Sequence, residues 1–214
     1  SPRSQQPMLD AASGTALVFN GTIYNYPELR AELIGLGHRF HSDGDTEVIL
    51  RAWLEWGEAC VERLHGMFAF AIWTREVLFL ARDRLGIKPL YYGEDAAHFR
   101  FASTPQALIA AGGVDTGLDA VALHHLFTLH AVVPAPRTLF NGVRKLAPGT
   151  TLTVNARGEL RHRKYWSLHA QRPALAKTEA EWTEAIHESL RQAVKKRIEI
   201  ADVKVGVLLS GGLD

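Results

Sequence analysis

An asparagine and a glycine between two apolar runs are the first residues whose types could do chemistry. The segment reads Phe19-Asn20-Gly21-Thr22-Ile23-Tyr24-Asn25. An Asn-Gly pair in this setting is first of all typical of a β-hairpin turn. The alternative is an oxyanion hole, in which the Asn20 side-chain amide and the Gly21 backbone N–H hold a developing alkoxide. These residues alone leave both interpretations open.

A carboxylate stands in the polar segment 42–48, at the start of a predicted helix over 46–56. Asp45 lies where a helix N-cap is expected, and an Asp side chain is well suited to accept the first free backbone N–H groups. A carboxylate at a helix start can also face a ligand, and Gly44 would let the backbone approach that ligand closely. Both roles can hold for Asp45.

The C-terminal end carries a glycine-rich turn after an apolar run. Its residues are Val207-Leu208-Leu209-Ser210-Gly211-Gly212-Leu213-Asp214. Backbone N–H groups in a Ser-Gly-Gly turn can reach phosphate oxygens without obstruction by Cβ atoms, and Ser210 adds a hydroxyl donor. A plain strand-to-helix turn explains the glycines equally well, and the sequence contains no Walker pattern G-x-x-x-x-G-K-S/T.

The elements that must position these residues predict an α+β architecture. A hairpin is predicted from the β-rich runs 67–73 and 77–81, and helices are predicted at 104–111 and 119–129. Short strands broken by Pro and Gly follow up to residue 163. Such a mixture of antiparallel hairpins and helices is typical of a layered α+β fold rather than of a repeat protein.

A different pattern begins after the polar, proline-containing segment 169–177, which is a predicted linker. Thr178 and Glu181 form a capping-box sequence at the start of a predicted helix. The apolar run over 203–209 is typical of a strand buried on both faces of a parallel sheet. A helix that leads into such a strand and a glycine-rich turn is how an α/β nucleotide domain would begin. The helix carries apolar residues at helical spacing: Trp182, Ile186, Leu190, Val194 and Ile198.

The composition limits the partners of the chain. Its 214 residues carry a formal net charge of +1, without the basic excess of a nucleic-acid-binding surface. No apolar run approaches the length needed to cross a bilayer. The single cysteine, Cys60, cannot form an internal disulfide, so a reducing, cytoplasmic environment is expected. No metal site is predicted, because His124, His125 and His130 lack the spacing of a metal-binding pair.

Several spaced motifs resemble those of the glutamine-dependent asparagine synthetase family, which joins a class II glutamine amidotransferase domain to an ATP pyrophosphatase domain. Residues 20–25 resemble the N-G-E-I-Y-N motif, and 64–71 resemble L-x-G-M-F-A-F-A. Residues 82–92 match R-D-x-x-G-x-x-P-L-Y-Y, and 210–214 match the S-G-G-x-D part of the pyrophosphatase loop. The resemblance extends from about residue 6 to residue 214.

The resemblance implies roles for the candidate residues. Asn20 and Gly21 would form the oxyanion hole of the glutaminase, and Asp45 would hold the α-amino group of glutamine. The loop from Leu208 to Asp214 would grip the phosphates of ATP. Thr22 departs from the family pattern, which has Glu at this position as a further contact to the donor's amino group.

The resemblance also implies the domain organisation. Residues 1–168 would be a layered αββα N-terminal-nucleophile glutaminase domain that lacks its N-terminal part, and 178–214 would begin an α/β ATP pyrophosphatase domain. The implied enzyme is a carbon–nitrogen ligase that hydrolyses glutamine to ammonia, adenylates a carboxylate with ATP and Mg²⁺, and forms an amide. Aspartate is the default acceptor, and a homodimer is expected.

The nucleophile that the family implies is a cysteine at the first position of the mature chain, with its own α-amine as the base. Cys60 is predicted instead to be a small buried hydrophobe. Ser1 is interpreted as a cut site, because the polar residues 2–6 do not form the apolar strand that should follow a nucleophile. Residues 1–214 alone are therefore expected to lack glutaminase activity.

Two alternatives to aspartate amidation stay open. Thr22 and the segment 130–136 look more like the branch that amidates a dipeptide, the synthetase of N-acetylglutaminylglutamine amide. The other alternative is a non-catalytic amidotransferase-like module that binds metabolites or partners. The absence of an N-terminal cysteine from the uncut gene would favour such a module.

Overall fold

The computed structural model describes residues 5–171, 177–201, 204–207 and 211. The chain divides into two compact units, Ser1–Ser167 and Leu168–Asp214. The boundary falls beside the predicted linker, of which residues 172–176 lie outside the described part. The assignment of the two units to a glutaminase and a pyrophosphatase domain stays a prediction.

Groups of strands and groups of helices follow one another along the described part of the first unit. The strands there are β1 (Met8–Asp10), β2 (Thr15–Ile23), β3 (Gly66–Trp73), β4 (Val77–Arg82), β5 (Tyr91–Glu94), β6 (Phe99–Ala102), β7 (Arg144–Lys145), β8 (Thr150–Asn155) and β9 (Leu160–Lys164). The helices are α1 (Tyr26–Gly35), α2 (Asp45–Trp56), α3 (Cys60–Arg63), α4 (Pro105–Ala111) and α5 (Ala120–Thr128), with a 3₁₀ turn at Gly57–Ala59.

The strands pair into two antiparallel sheets. The larger sheet has the order β1-β2-β3-β4-β8-β9, and the smaller one has the order β6-β5-β7. The predicted hairpin is confirmed, because β3 and β4 pair with Phe70 opposite Ala81. The backbone N–H of Thr74 closes its turn by donating to the carbonyl of Val77 at 2.9 Å.

Two hydrophobic clusters fill the space between the layers of helices and sheets. Because side chains alternate between the two faces of a strand, Phe68 and Phe70 of β3 pack with the buried residues of α1 and α2. Ala69 and Ala71 of the same strand pack with residues of the smaller sheet. On the smaller sheet, α4 lies against β5 and β6. The order helix, sheet, sheet, helix confirms the layered α+β architecture expected from the sequence.

The second unit contains α6 (Glu179–Glu199). The predicted capping box is confirmed: the Glu181 N–H donates to Thr178 Oγ1 at 3.3 Å, and the Thr178 N–H donates to Glu181 Oε2 at 2.7 Å. The strand predicted over 203–209 is not formed in its described part, 204–207, which is exposed and irregular. A strand buried on both faces needs paired neighbours, and no described residue after Lys164 belongs to a strand.

Candidate functional site

Asn20 and Gly21 lie inside β2, opposite Ala69 and Phe68 of β3. The hairpin-turn interpretation of this pair is therefore wrong. Gly21 has φ +154, and a Cβ added there would lie 2.1 Å from the Met67 carbonyl oxygen and 2.8 Å from the Phe68 Cα. Only glycine permits this close approach of β2 to β3, because any side chain would overlap the neighbouring backbone.

The Asn20 side chain is exposed at a cavity of about 140 Å³. Val18 and Ala69 also line this cavity. Their side chains lie on the face of the larger sheet that packs against the smaller sheet. Within the described part of the chain, no residue forms a hydrogen bond with the Asn20 side chain. None of the described residues therefore competes for this amide, which an oxyanion hole requires as a donor to the ligand.

Gln6 borders the same cavity, and its role was not predicted from the sequence. Its side-chain amide donates to the Phe19 carbonyl at 2.8 Å, and its oxygen accepts from the Phe19 N–H at 2.6 Å. The amide thus pairs with β2 as a neighbouring strand would. This pairing fixes the backbone immediately before Asn20. The sequence did not predict it, because nothing in the residue type or position of Gln6 indicates a contact with Phe19.

Asp45 is the first residue of α2, so its predicted role as N-cap is wrong. The N-cap position is occupied by Gly44, which forms no side-chain cap. The Asp45 carboxylate instead accepts a hydrogen bond from the Ile23 N–H, with Oδ2 3.0 Å from the nitrogen. Ile23 follows Gly21 by two residues, which is about 7 Å along a strand. The structure thereby brings all three predicted glutaminase residues to the same end of β2.

The backbone opposite Gly21 is fixed by a buried carboxylate. Asp83 is fully buried, and its Oδ2 accepts from the Phe68 N–H at 3.2 Å, while its own N–H donates to the Phe68 carbonyl at 2.8 Å. The same carboxylate accepts from the N–H groups of Leu85, Ile87 and Lys88. All of these donors are backbone N–H groups, so Asp83 has a structural role.

The Arg82 side chain stabilises the loop that follows β4 through hydrogen bonds to backbone carbonyl oxygens. Its guanidinium donates to the carbonyl oxygens of Lys88, Gly86 and Leu146 at 2.8, 2.7 and 2.6 Å. Burial lowers the pKa of Arg82, although the nearby Asp83 opposes that effect. All three hydrogen bonds go to backbone carbonyl oxygens, so Arg82 also has a structural role.

Cys60 is completely buried in the cluster between the larger sheet and the helices. Burial raises the pKa of its thiol to about 12. The thiolate is the nucleophilic form of cysteine, and it is suppressed in apolar surroundings. The prediction that Cys60 is a small buried hydrophobe is confirmed.

The predicted ATP loop lies almost wholly outside the described residues, which exclude Leu208, Leu209, Ser210, Gly212, Leu213 and Asp214. Gly211 is described, is exposed, and would accept a Cβ without any contact within 4 Å. The fit of this loop to a phosphate chain stays a prediction from the sequence. In the described ranges, no group of three His, Cys, Asp or Glu residues could hold a metal ion.

None of the helices in the described part of the chain combines the length and the apolarity that a membrane span requires.

The chain matches two known protein families, one of them over most of its length. Residues 1–166 match the family described as glutamine amidotransferase domain, and residues 185–214 match the family described as asparagine synthase. The fold is similar to that of glutamine phosphoribosylpyrophosphate amidotransferase from Bacillus subtilis, with a TM-score of 0.52 and 22% identity. That match covers 75% of this chain and 32% of the other.

Two curated relatives are asparagine synthetases (glutamine-hydrolyzing) of Bacillus subtilis. The chain is 36% identical over 214 residues to number 3, covering 98% of this chain and 34% of that protein. It is 37% identical over 200 residues to number 1, covering 92% of this chain and 31% of that protein. The chain thus spans about a third of the length of these relatives. It belongs to the glutamine-dependent asparagine synthetase family.

Proposed function

We propose that Asn20, Gly21 and Asp45 form the oxyanion and amino-group side of a glutamine-hydrolysing site. The observation that carries the proposal is the hydrogen bond from the Ile23 N–H to Asp45, because it holds a carboxylate two residues beyond the Asn20-Gly21 pair. The exposed Asn20 amide supports the same assignment, since its donors face a cavity rather than a protein partner within the described part.

The geometry suits an attack on the side-chain amide of glutamine. When a thiolate adds to the amide carbon, the carbonyl oxygen becomes an alkoxide, and Asn20 and the Gly21 N–H stabilise it. The Asp45 carboxylate orients the donor through a charge-assisted bond to its α-ammonium group. Cys60 is not the nucleophile, because its thiol is buried and protonated. The family pattern assigns the attack to an N-terminal cysteine.

We extend the proposal to the product of the complete reading frame. That protein uses the ammonia to convert a carboxylate to an amide, with ATP and Mg²⁺ activating the carboxylate when they are bound. The segment Leu208–Asp214 supplies the phosphate-binding loop, and aspartate is the acceptor, as the names of the relatives suggest. A cytoplasmic location and a homodimeric state belong to the same proposal.

The decisive experiment measures glutamate release from glutamine by the product of the complete reading frame. Replacement of one oxyanion-hole donor typically lowers kcat about 10²- to 10³-fold, and we expect this from Asn20→Ala. The free energy of unfolding should stay within about 0.5 kcal/mol of the wild type, because the side chain is exposed. Asn141→Ala, at an exposed asparagine outside the site, is the matched control and should retain full activity.

An unchanged kcat in Asn20→Ala would refute the oxyanion assignment. A complete reading frame without an N-terminal cysteine, together with no glutamate release, would favour the non-catalytic module. Amide formation is then assayed with aspartate and with the dipeptide N-acetylglutaminylglutamine as separate acceptors. Turnover of the dipeptide but not of aspartate would overturn the aspartate assignment and leave the glutaminase proposal intact.

A further inference from the structure

Glu47 is a buried carboxylate in the first turn of α2, two residues after Asp45. It is 3% exposed. Its Oε2 accepts from the N–H of Ser42 at 2.7 Å and from the Ser42 hydroxyl at 2.8 Å. The His41 N–H donates to both carboxylate oxygens, at 3.1 and 3.0 Å. His41 and Ser42 act only as donors in these hydrogen bonds. The side chain at position 47 must therefore accept them, and a group that carries its own hydrogen would not fit.

The charge of Glu47 is matched by Arg51 one turn later. Arg51 Nη2 lies 3.2 Å from Glu47 Oε1, and Arg51 Nη1 lies 2.8 Å from Asp10 Oδ1. Burial raises the pKa of Glu47, but the hydrogen bonds from Ser42, His41 and Arg51 outweigh it and lower the pKa below its ordinary value. Glu47 is therefore ionised, and α2 is joined through Arg51 to β1.

These bonds close a short ring around Asp45. The Glu47 carboxylate accepts hydrogen bonds from Ser42, and the chain between these two residues contains Asp43, Gly44, Asp45 and Thr46. Gly44 has an extended backbone with φ −85 and ψ 160, and it forms no side-chain cap that would hold the helix start. The first turn of α2 is thus held on one side by Glu47 and on the other by the Asp45–Ile23 hydrogen bond.

We propose that Glu47 is a positioning residue, which fixes Asp45 in the orientation that receives the α-ammonium group of glutamine. This inference rests on the proposed glutaminase function. Glu47 acts through the ring and through Asp45, and it does not touch the donor. Its effect should therefore fall on donor binding rather than on the stabilisation of the alkoxide by Asn20 and Gly21.

The test is Glu47→Gln in the product of the complete reading frame, with glutamate release as the readout. The amide NH₂ would meet the N–H groups of His41 and Ser42, so the ring should open. We expect the KM for glutamine to rise about tenfold or more, with kcat within about threefold of the wild type, as for a lost hydrogen bond to a charged group. Glu55→Gln is the control, because Glu55 lies on the same helix and pairs with His38 near the surface.

A double-mutant cycle separates positioning from general stability. In an Asp45→Asn background, Glu47→Gln should produce no further rise in KM, because its effect passes through Asp45. If Glu47→Gln fails to fold, Ser42→Ala removes a single donor to the carboxylate and should still raise KM severalfold.

An active wild type with an unchanged KM in Glu47→Gln and Ser42→Ala would overturn this inference alone. Additive effects in the Asp45→Asn background would overturn it as well. No glutamate release from the wild type would instead show that the proposed function has failed.

Discussion

The carboxylate of Asp45 accepts a hydrogen bond from the backbone N–H of Ile23 at 3.0 Å, across 22 positions of sequence. The contact joins the start of α2 to the end of β2. Two polar motifs that are separate in the sequence therefore meet at one place. The N-terminal end of α2 also carries the positive end of the helix dipole, which favours a carboxylate there.

Because β2 and β3 approach closely at Gly21, we predict that Gly21→Ala destabilises the fold strongly. The added methyl group would lie 2.1 Å from the Met67 carbonyl oxygen, at a backbone φ of +154 that side chains rarely adopt. We expect the free energy of unfolding to fall by roughly 2–4 kcal/mol from overlap and backbone strain. Urea unfolding followed by tryptophan fluorescence measures the change.

Gly35→Ala is the matched control for that substitution. Gly35 is the last residue of α1, and nothing lies within 4 Å of a Cβ added there. Alanine favours a helix over glycine, so the stability should be unchanged or should rise by up to about 1 kcal/mol. Equal stabilities of the two variants would contradict the close approach of the strands at Gly21.

The hydrogen bonds to Asp10 predict a pH-dependent contribution to stability. Bonds from the Ser13 hydroxyl and N–H, together with Arg51, lower the pKa of Asp10 below its ordinary value of 3.8. Because the folded pKa is below the unfolded one, the contribution is complete well above pH 3.8 and is lost as the pH falls through the folded pKa. We expect Asp10→Asn to cost about 1.5–3 kcal/mol at neutral pH.

The measurement compares urea unfolding of wild type and Asp10→Asn from pH 7 downwards. The difference should be constant at first and should shrink in acid below about pH 4. Asp43→Asn serves as the control, because the Asp43 side chain is 96% exposed and its contact with Arg30 is 3.4 Å. A difference between wild type and Asp10→Asn that grows towards acid would have the wrong sign for a lowered pKa.

Local patterns were sufficient to predict much of the fold. The β3–β4 hairpin has a polar turn between β-rich runs, and the capping box at Thr178 and Glu181 is a four-residue signal. The burial of Cys60 agrees with its place in a short helical run beside Val61, which is also buried. Each of these features depends on residues that are near one another in sequence, where propensity and periodicity are informative.

Contacts between distant segments were the ones that sequence patterns could not predict. The Asn20-Gly21 pair has the local signature of a turn, but pairing with β3 keeps it extended. Asp45 has the type and place of an N-cap, but the Ile23 N–H offers its carboxylate a partner that no local pattern shows. The run over 203–209 is apolar enough to predict a strand, yet its described part, 204–207, forms none, and a strand needs neighbours to pair with.

The final prediction concerns Cys60 and tests whether its thiol only packs in the core or also takes part in catalysis. Its thiol is fully buried and its pKa is raised to about 12, so almost no thiolate exists at pH 8. Iodoacetamide should leave Cys60 unmodified in the native protein at that pH and should alkylate Cys60 once urea unfolds the chain, as mass spectrometry of the Cys60 peptide would show. Cys60→Ala should lower stability by about 1 kcal/mol through the small void, without changing glutamate release. Loss of glutamate release in a normally folded Cys60→Ala protein would mean that the thiol takes part in the reaction after all.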